Sequence, residues 1–182
     1  MQKKIDVTGC VLYTERMILR PFEEKDLEDL YEYASVPGVG ECAGWHHHEN
    51  IETSRMILQM FMEGKHTFAL VDRADGHVMG SLGLDTTSHF AREEDRETFG
   101  CEIGYVLGKA HWGKGLMTEA VKEAIRFCLQ ELHMDWIICA HFVENDRSRR
   151  VIEKCGFTYV RDVRYETQMG EYKTTRLYVT RK

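Results

Sequence analysis

A glycine-rich turn between an apolar run and an amphipathic helical pattern restricts the fold more than any other stretch of this sequence. The turn lies within Gly108–Ala120, which reads GKAHWGKGLMTEA. Thr98–Leu107 before it is apolar and predicts a strand, and Met117–Leu132 after it has the apolar spacing of a helix. The first N–H groups of a helix lack internal partners and carry partial positive charge, so this arrangement predicts an anion site. An ordinary strand-to-helix turn is the alternative.

Three kinds of ligand compete for such a turn: a nucleoside triphosphate, a dinucleotide, or the pyrophosphate arm of another cofactor. The Walker pattern matches at Gly108, Gly113 and Lys114, but Gly115 stands where a magnesium-binding hydroxyl is required. A dinucleotide fingerprint would need a third glycine, where this chain has Thr118, and a β-α-β unit at the start of the chain. The sequence therefore favours the third kind.

The rest of the chain predicts one α/β domain of the α+β kind over residues 1–182, with seven strands and four helices in the order β-αα-ββ-β-α-β-α-β-β. The predicted strands are Tyr13–Phe22, His66–Asp72, His77–Leu84, Thr98–Leu107, Asp135–Val143, Phe157–Glu166 and Glu171–Arg181. The predicted helices are Glu23–Ala34, Ile51–Met62, Met117–Leu132 and a capped helix within Asn145–Phe157. Asp85–Glu97 is polar and predicts a loop.

Charge and composition exclude some classes of function. The chain has 24 basic and 30 acidic residues, a net charge of −6, which argues against general binding to nucleic-acid phosphates. No apolar run approaches the roughly 18 residues of a membrane span, and the start lacks the pattern of a secretory signal, so we expect a cytoplasmic protein. The six cysteines form no C-x-x-C pair, and we expect no disulfide framework.

Two sequence blocks together resemble a known family. EIGYVLGKAHWGKGLMTEA and the downstream NDRSRRVIEKCGF are similar to the GNAT superfamily of acetyl-CoA-dependent N-acetyltransferases, especially the branch that modifies the amino termini of ribosomal proteins. The resemblance extends over essentially the whole chain. The cofactor turn of that family, Q/R-x-x-G-x-G/A, maps onto Trp112–Met117, with Trp112 in place of Gln or Arg and Met117 in place of the final small residue.

The resemblance implies a central mixed, mostly antiparallel sheet of about seven strands that splays in the middle, between the strand bearing Glu102 and the strand Trp136–Phe142. It implies acetyl-CoA as cofactor, with its pyrophosphate on the turn, its pantetheine arm along the first of these strands, and no metal. The cofactor-binding residues that it implies are Tyr105, Val106, Leu107, Trp112, Gly113, Lys114, Gly115, Leu116, Met117, Thr118 and Asn145.

Acetyl transfer requires a neutral amine, whereas a lysine amine has a pKa of about 10.4 and an α-amine about 8 in water. A base is therefore needed, and Glu102 is the candidate. A solvated strand carboxylate is the alternative, because alternation along the strand leaves open which face Glu102 takes. A backbone N–H near Tyr105 or Val106 is the candidate for stabilising the developing oxyanion.

The departing thiolate needs a proton, which many members of the family supply from a tyrosine seven positions after the motif asparagine. Here that position is Ile152. The ribosomal branch implies instead that Asn145 contacts the cofactor and that Ser148 lies near its sulfur, which makes Ser148 the second candidate catalytic residue. An asparagine helix cap with an incidental serine is the alternative.

The acceptor stays open at this point. We expect a primary amine, and the branch resemblance suggests a ribosomal protein amino terminus; small amines or antibiotics are alternatives, as are a phosphotransferase and a non-catalytic acyl-CoA sensor. His46–His48 are too close together to bind one metal ion and are assigned to a polar loop that, with Trp45, borders the acceptor in this family. We expect no nucleic-acid or membrane partner, and a homodimer is the default expectation.

Overall fold

A single sheet forms the centre of the protein. The computed structural model describes residues 4–88, 90 and 97–182, and these form eight strands in the order β1-β2-β3-β4-β5-β6-β8-β7 together with four α-helices. The strands are β1 Leu12–Tyr13, β2 Met17–Pro21, β3 Thr67–Asp72, β4 Val78–Asp85, β5 Gly100–Leu107, β6 Trp136–Phe142, β7 Thr158–Glu166 and β8 Tyr172–Arg181. The helices are α1 Leu27–Ala34, α2 Ile51–Gly64, α3 Leu116–Arg126 and α4 Asp146–Lys154. The predicted mixed α/β architecture is confirmed.

The first predicted strand is wrong in one respect. Instead of a continuous strand over Tyr13–Phe22, the chain makes two short antiparallel strands, β1 and β2. The N–H of Thr14 donates to the carbonyl of Met17 at 2.9 Å, which closes a turn between them. Apolar composition alone does not show such a turn, because it contains neither glycine nor proline.

The helices cover opposite faces of the sheet. The larger core cluster joins α3 to the side chains of Ile103 and Leu107 on β5, whereas a second cluster joins α1 and α2 to the side chain of Val106. Successive side chains of a strand point to opposite faces, so the odd-numbered residues of β5 face α3 and the even-numbered ones face α1 and α2.

β5 and β6 diverge at the middle of the sheet. They pair in parallel over four positions of the described register, Gly100–Ile103 against Trp136–Cys139. Beyond that, Gly104–Leu107 stays paired with β4 and Ala140–Phe142 stays paired with β8, so a wedge opens between the two strands. The splay implied by the family resemblance is therefore present.

The remaining predicted elements differ from the structure mainly at their ends. Asn50 caps α2 through a hydrogen bond from the N–H of Thr53 at 3.1 Å. The helical segment that begins with α3 continues as one wide turn over Phe127–Glu131. The predicted loop Asp85–Glu97 falls partly on residues 89 and 91–96, which lie outside the described residues. In the part of the chain that is described, every helix is too short or too polar to cross a bilayer.

Candidate active site

A cavity of about 570 Å³ occupies the wedge between β5 and β6 and reaches the glycine turn before α3. Gly104 is one of the residues that line it, and a Cβ placed there would have no atom within 4 Å. The wedge therefore has room beside the strand where the family resemblance places a thioester.

The glycine turn forms one end of the cavity. Gly113 and Gly115 have φ angles of 77° and 78°, which few residues other than glycine adopt at low cost. The turn is held from outside, because Arg16 donates to the carbonyl of Lys114 at 2.9 Å and pairs with Glu119 at 2.8 Å. The first N–H groups of α3 are thereby presented to the cavity, which Leu116, Met117 and Thr118 line. The side chain of Lys114 is exposed and lies outside the lining.

Trp112 closes the turn on the strand side. Its indole N–H donates to the carbonyl of Leu107 at 2.7 Å, and the guanidinium of Arg147 lies 4.0 Å above its ring. The carbonyl of Leu107 therefore already has a partner within the protein. Trp112 takes the place of the Gln or Arg of the family pattern by bracing the turn against the end of β5.

The backbone of β5 presents only alternate peptide groups to the wedge. The carbonyl of Val106 points at β4, because a Cβ placed on Gly80 would lie 2.2 Å from its oxygen. The N–H of Gly108 also points at β4 and donates to the carbonyl of Met79. The peptide group of Tyr105 therefore faces the wedge. Of the two candidate oxyanion donors, the N–H of Tyr105 therefore faces the wedge, whereas the N–H of Val106 faces β4. The side chain of Val106 still lines the cavity.

Glu102 lies on the face of β5 that is covered by α1 and α2, opposite Asp85 of β4 in the antiparallel register. Cross-strand partners share a face, so the two carboxylates stand side by side, and both line the cavity. The hydroxyl of Ser88 donates to Oε2 of Glu102 at 2.5 Å. The alternation of side chains along β5 did not show which face Glu102 takes, and the register with β4 now defines it.

Tyr105 points to the opposite face, toward α3 and α4. Its hydroxyl lies 2.8 Å from Oγ of Ser148, and burial raises the pKa of Tyr105 well above its usual value. Ile152, at the position of the family tyrosine, is fully buried in the core and does not line the cavity. The phenol of Tyr105 instead reaches Ser148 from β5. The sequence predicted a role only for the backbone of Tyr105.

Asn145 and Ser148 begin α4. Oδ1 of Asn145 accepts the N–H of Ser148 at 3.1 Å, and Nδ2 of Asn145 donates to the carbonyl of Cys42 at 3.2 Å. Asn145 is therefore a helix cap that also ties the α1–α2 connection to α4. Both residues line the cavity, so the cap does not exclude the roles implied for them.

Comparisons with known proteins identify the family. The family model described as "Acetyltransferase (GNAT) domain" matches residues 16–158. The chain belongs to the GNAT acetyltransferase family. It is 30% identical to the N-acetyltransferase p20 of Bacillus licheniformis over 80% of this chain and 81% of that one. It is 25% identical to the [ribosomal protein uS5]-alanine N-acetyltransferase of Escherichia coli over 80% and 77% of the two chains. A GNAT-family acetyltransferase structure from Bacillus anthracis superposes with a TM-score of 0.79 at 24% identity, covering 94% of this chain and 98% of that one.

GNAT acetyltransferases use acetyl-CoA, which carries negatively charged phosphate groups. Arg147, Arg150 and Lys154 line the cavity, and the guanidinium of Arg147 lies over Trp112 at the glycine turn. Their spacing of three and four residues puts them on one face of α4 and gives that face positive charge. Sequence reasoning missed these three cations, although their helical spacing was visible in RSRRVIEK.

The three consecutive histidines lie away from the chemistry of this GNAT domain. His48 is buried, with Nδ1 2.7 Å from the hydroxyl of Ser54, and its ring packs on Trp45. His47 pairs with Glu41 at 2.8 Å. Neither these residues nor His46 line the cavity. Over the described ranges, no group of three or more histidine, cysteine or acidic side chains is arranged to hold a metal ion.

Proposed function

We propose that this GNAT enzyme transfers the acetyl group of acetyl-CoA to the α-amine of a protein amino terminus. The observation that carries the proposal is the placement of a carboxylate, Glu102, and a hydroxyl pair, Tyr105 and Ser148, on opposite faces of one strand beside the wedge. One group removes a proton from the amine and the other supplies a proton to the leaving thiolate. The 25% identity with the uS5-alanine acetyltransferase of Escherichia coli supports a protein acceptor.

Glu102 acts as the base. A carboxylate within reach of the attacking amine, directly or through one water, takes its proton as the new C–N bond forms. The hydroxyl of Ser88 donates to Oε2 of Glu102, which fixes the direction of the carboxylate. An α-amine, with a pKa of about 8, is easier to deprotonate near neutral pH than a lysine side chain with a pKa of about 10.4. This difference favours an amino terminus as acceptor.

The N–H of Tyr105 stabilises the negative charge that develops on the carbonyl oxygen. It faces the wedge beside Gly104, where the absence of a side chain leaves space for the acetyl group. A preorganised donor in a site that excludes water costs no reorganisation during the reaction. Bound acetyl-CoA supplies the thioester, whose C–S bond breaks as the amide forms.

Ser148 and Tyr105 provide the proton for the thiolate. The hydroxyl of Ser148 donates to the sulfur, and the phenol of Tyr105, 2.8 Å from Oγ of Ser148, donates to the serine in turn. Because burial raises the pKa of Tyr105, its phenol stays protonated throughout the neutral range. The proton removed by Glu102 and the proton given by this pair balance, and solvent restores both groups.

The proposal is tested with acetyl-CoA and three matched peptides. One has a free amino terminus and no lysine, the second has a blocked amino terminus and one lysine, and the third has a blocked amino terminus without lysine. We expect thiol release and a single acetyl mass shift with the first peptide and little with the second. Acetylation of the lysine peptide alone, or acetyl-CoA binding without turnover on any amine, would contradict the proposal, and the latter result would indicate a sensor.

A further inference from the structure

The face of the sheet that carries Glu102 continues beyond the wedge into a second group of side chains. Glu102 pairs with Ile138 of β6, Phe142 lies four residues further along β6, and Thr175 of β8 pairs with Phe142. Strand alternation and cross-strand pairing put all four on one face. Glu102, Phe142 and Thr175 all line the cavity. The base and this group therefore belong to one continuous surface.

Aromatic rings form the wall of this region. The ring of Tyr165 lies 6.3 Å from that of Phe142 and 5.7 Å from that of Phe90. Oγ of Ser88 accepts the N–H of Phe90 at 3.1 Å and donates to Glu102, which links the wall directly to the base. The rings are held at contact distances that suit burial of an apolar group.

The wall is fixed from the other side by the α1–α2 connection. A Cβ on Gly44 would lie 3.1 Å from the ring of Phe142, so this connection packs directly on that ring. The N–H of Gln168 donates to the carbonyl of Gly44 at 2.9 Å, which ties the connection to the turn between β7 and β8. The position of Phe142 is therefore set before any ligand binds.

Thr175 gives an independent indication of a ligand. It is 3% exposed, and its Oγ1 is buried without a hydrogen-bond partner among the residues that the structure describes. A buried hydroxyl without a partner is unfavourable, and native proteins rarely leave one so. Because Thr175 lines the cavity, an occupant of the cavity can supply the missing partner.

We propose that Phe90, Phe142, Tyr165 and Thr175 form an aromatic subsite that binds the part of the acceptor beyond its amine. The inference rests on the proposed function. The acceptor it selects is a peptide whose amine lies at Asp85 and Glu102 and whose second residue carries a large apolar or aromatic side chain. The side chain packs on the rings, and a backbone group bonds to Thr175.

Other amines fit this surface less well. An aliphatic polyamine has ammonium groups that can donate to Oγ1 of Thr175, but it has no large apolar side chain to pack on the rings. An amine surrounded by hydroxyl groups, as in many antibiotics, would lose water to the apolar rings without replacing its hydrogen bonds. A peptide amino terminus supplies an ammonium, an apolar side chain and a backbone hydrogen-bonding group in sequence.

The test uses four short peptides that differ only at the second residue, which is Phe, Leu, Gly or Asp. We expect kcat/KM for the Phe peptide to exceed that for the Gly peptide about tenfold. Thr175→Val, which removes only the hydroxyl, lowers kcat/KM for the Phe peptide about fivefold, and Thr175→Ser retains it. Thr174→Val is the matched control, because Thr174 is the exposed neighbour on the opposite face of β8.

Calorimetric binding of the same peptides to the protein saturated with coenzyme A separates this inference from the proposed function. Equal kcat/KM for all four peptides, with equal values for Thr175→Val and Thr174→Val, would overturn the aromatic subsite and leave the acetyltransferase proposal standing. Binding that follows the apolar preference without acetylation of any peptide would support the subsite and overturn the proposed function. Absence of both binding and acetylation for all four peptides would overturn both proposals.

Discussion

The two halves of the cavity are built in different ways. The half of the cavity proposed for the cofactor combines backbone, in the glycine turn, the start of α3 and the wedge side of β5, with three cationic side chains of α4. The acceptor half consists of side chains from β4 to β8, including Glu102, Phe142 and Thr175. A backbone site needs a local motif, whereas a side-chain site needs the whole sheet. The comparison explains why local sequence blocks are enough to indicate the cofactor, whereas no motif names the acceptor.

The largest expected loss of activity follows from substitution of Glu102, which lies between the two halves of the cavity. We expect Glu102→Gln to lower kcat/KM for the peptide about 10²-fold at pH 7, because a general base is lost. The deficit should shrink above pH 8, where an α-amine loses its proton to solvent. Initial rates between pH 6 and 9 measure this, with Glu28→Gln on the exposed side of α1 as control. A deficit that is constant with pH would remove Glu102 as the base.

The cofactor half is tested at Gly115. We expect Gly115→Val to weaken acetyl-CoA binding about 30-fold, because a β-branched residue at a φ of 78° distorts the start of α3. Gly76→Val is the matched control, since Gly76 has a φ of 82° in the β3–β4 turn, away from the cavity. Titration calorimetry gives both affinities, and melting temperatures show whether the two variants lose similar stability. Equal affinities in the two variants would contradict the assignment of the turn.

The smallest of these effects concerns the departing thiolate. We expect Tyr105→Phe to lower kcat about tenfold with little change in KM for acetyl-CoA, because the ring remains and only the donor to Ser148 is lost. Burial raises the pKa of Tyr105, so its proton is retained as pH rises and the deficit should be constant from pH 6 to 9. Tyr159→Phe, at an exposed phenol on β7, is the control. A deficit that varies with pH like that of Glu102→Gln would argue against separate roles.

The elements that sequence predicted well are those with a local cause. The glycine turn, the Asn50 cap and the β3–β4 hairpin each depend on residues close together in the chain, and their structures follow from those residues. The face taken by Glu102 could not be predicted, because it depends on the register between β5 and β4. The cytoplasmic location and the homodimer remain predictions from the sequence.

Long-range contacts account for what sequence reasoning missed. The hydroxyls of Tyr105 and Ser148 are 43 positions apart in the chain and meet because α4, which packs on α3 and β6, lies on the side of the sheet to which Tyr105 points. Thr175 and Phe142 meet through pairing between β8 and β6. Ile152 at the position of the family tyrosine predicts a different proton donor, which stays a prediction, and no local pattern pointed to the phenol of Tyr105 that is proposed for this role.

The short parallel pairing between β5 and β6 also determines where the gap between these two strands is narrow. A Cβ on Gly100 would lie 2.2 Å from the ring of Trp136, so the two strands touch most tightly at the narrow end of the wedge. The four residue pairs fix this narrow end, and the gap between the two strands widens toward Leu107 and Phe142, which pair with β4 and β8 instead. A ligand therefore has most lateral room beside the ends of β5 and β6 that do not pair with each other.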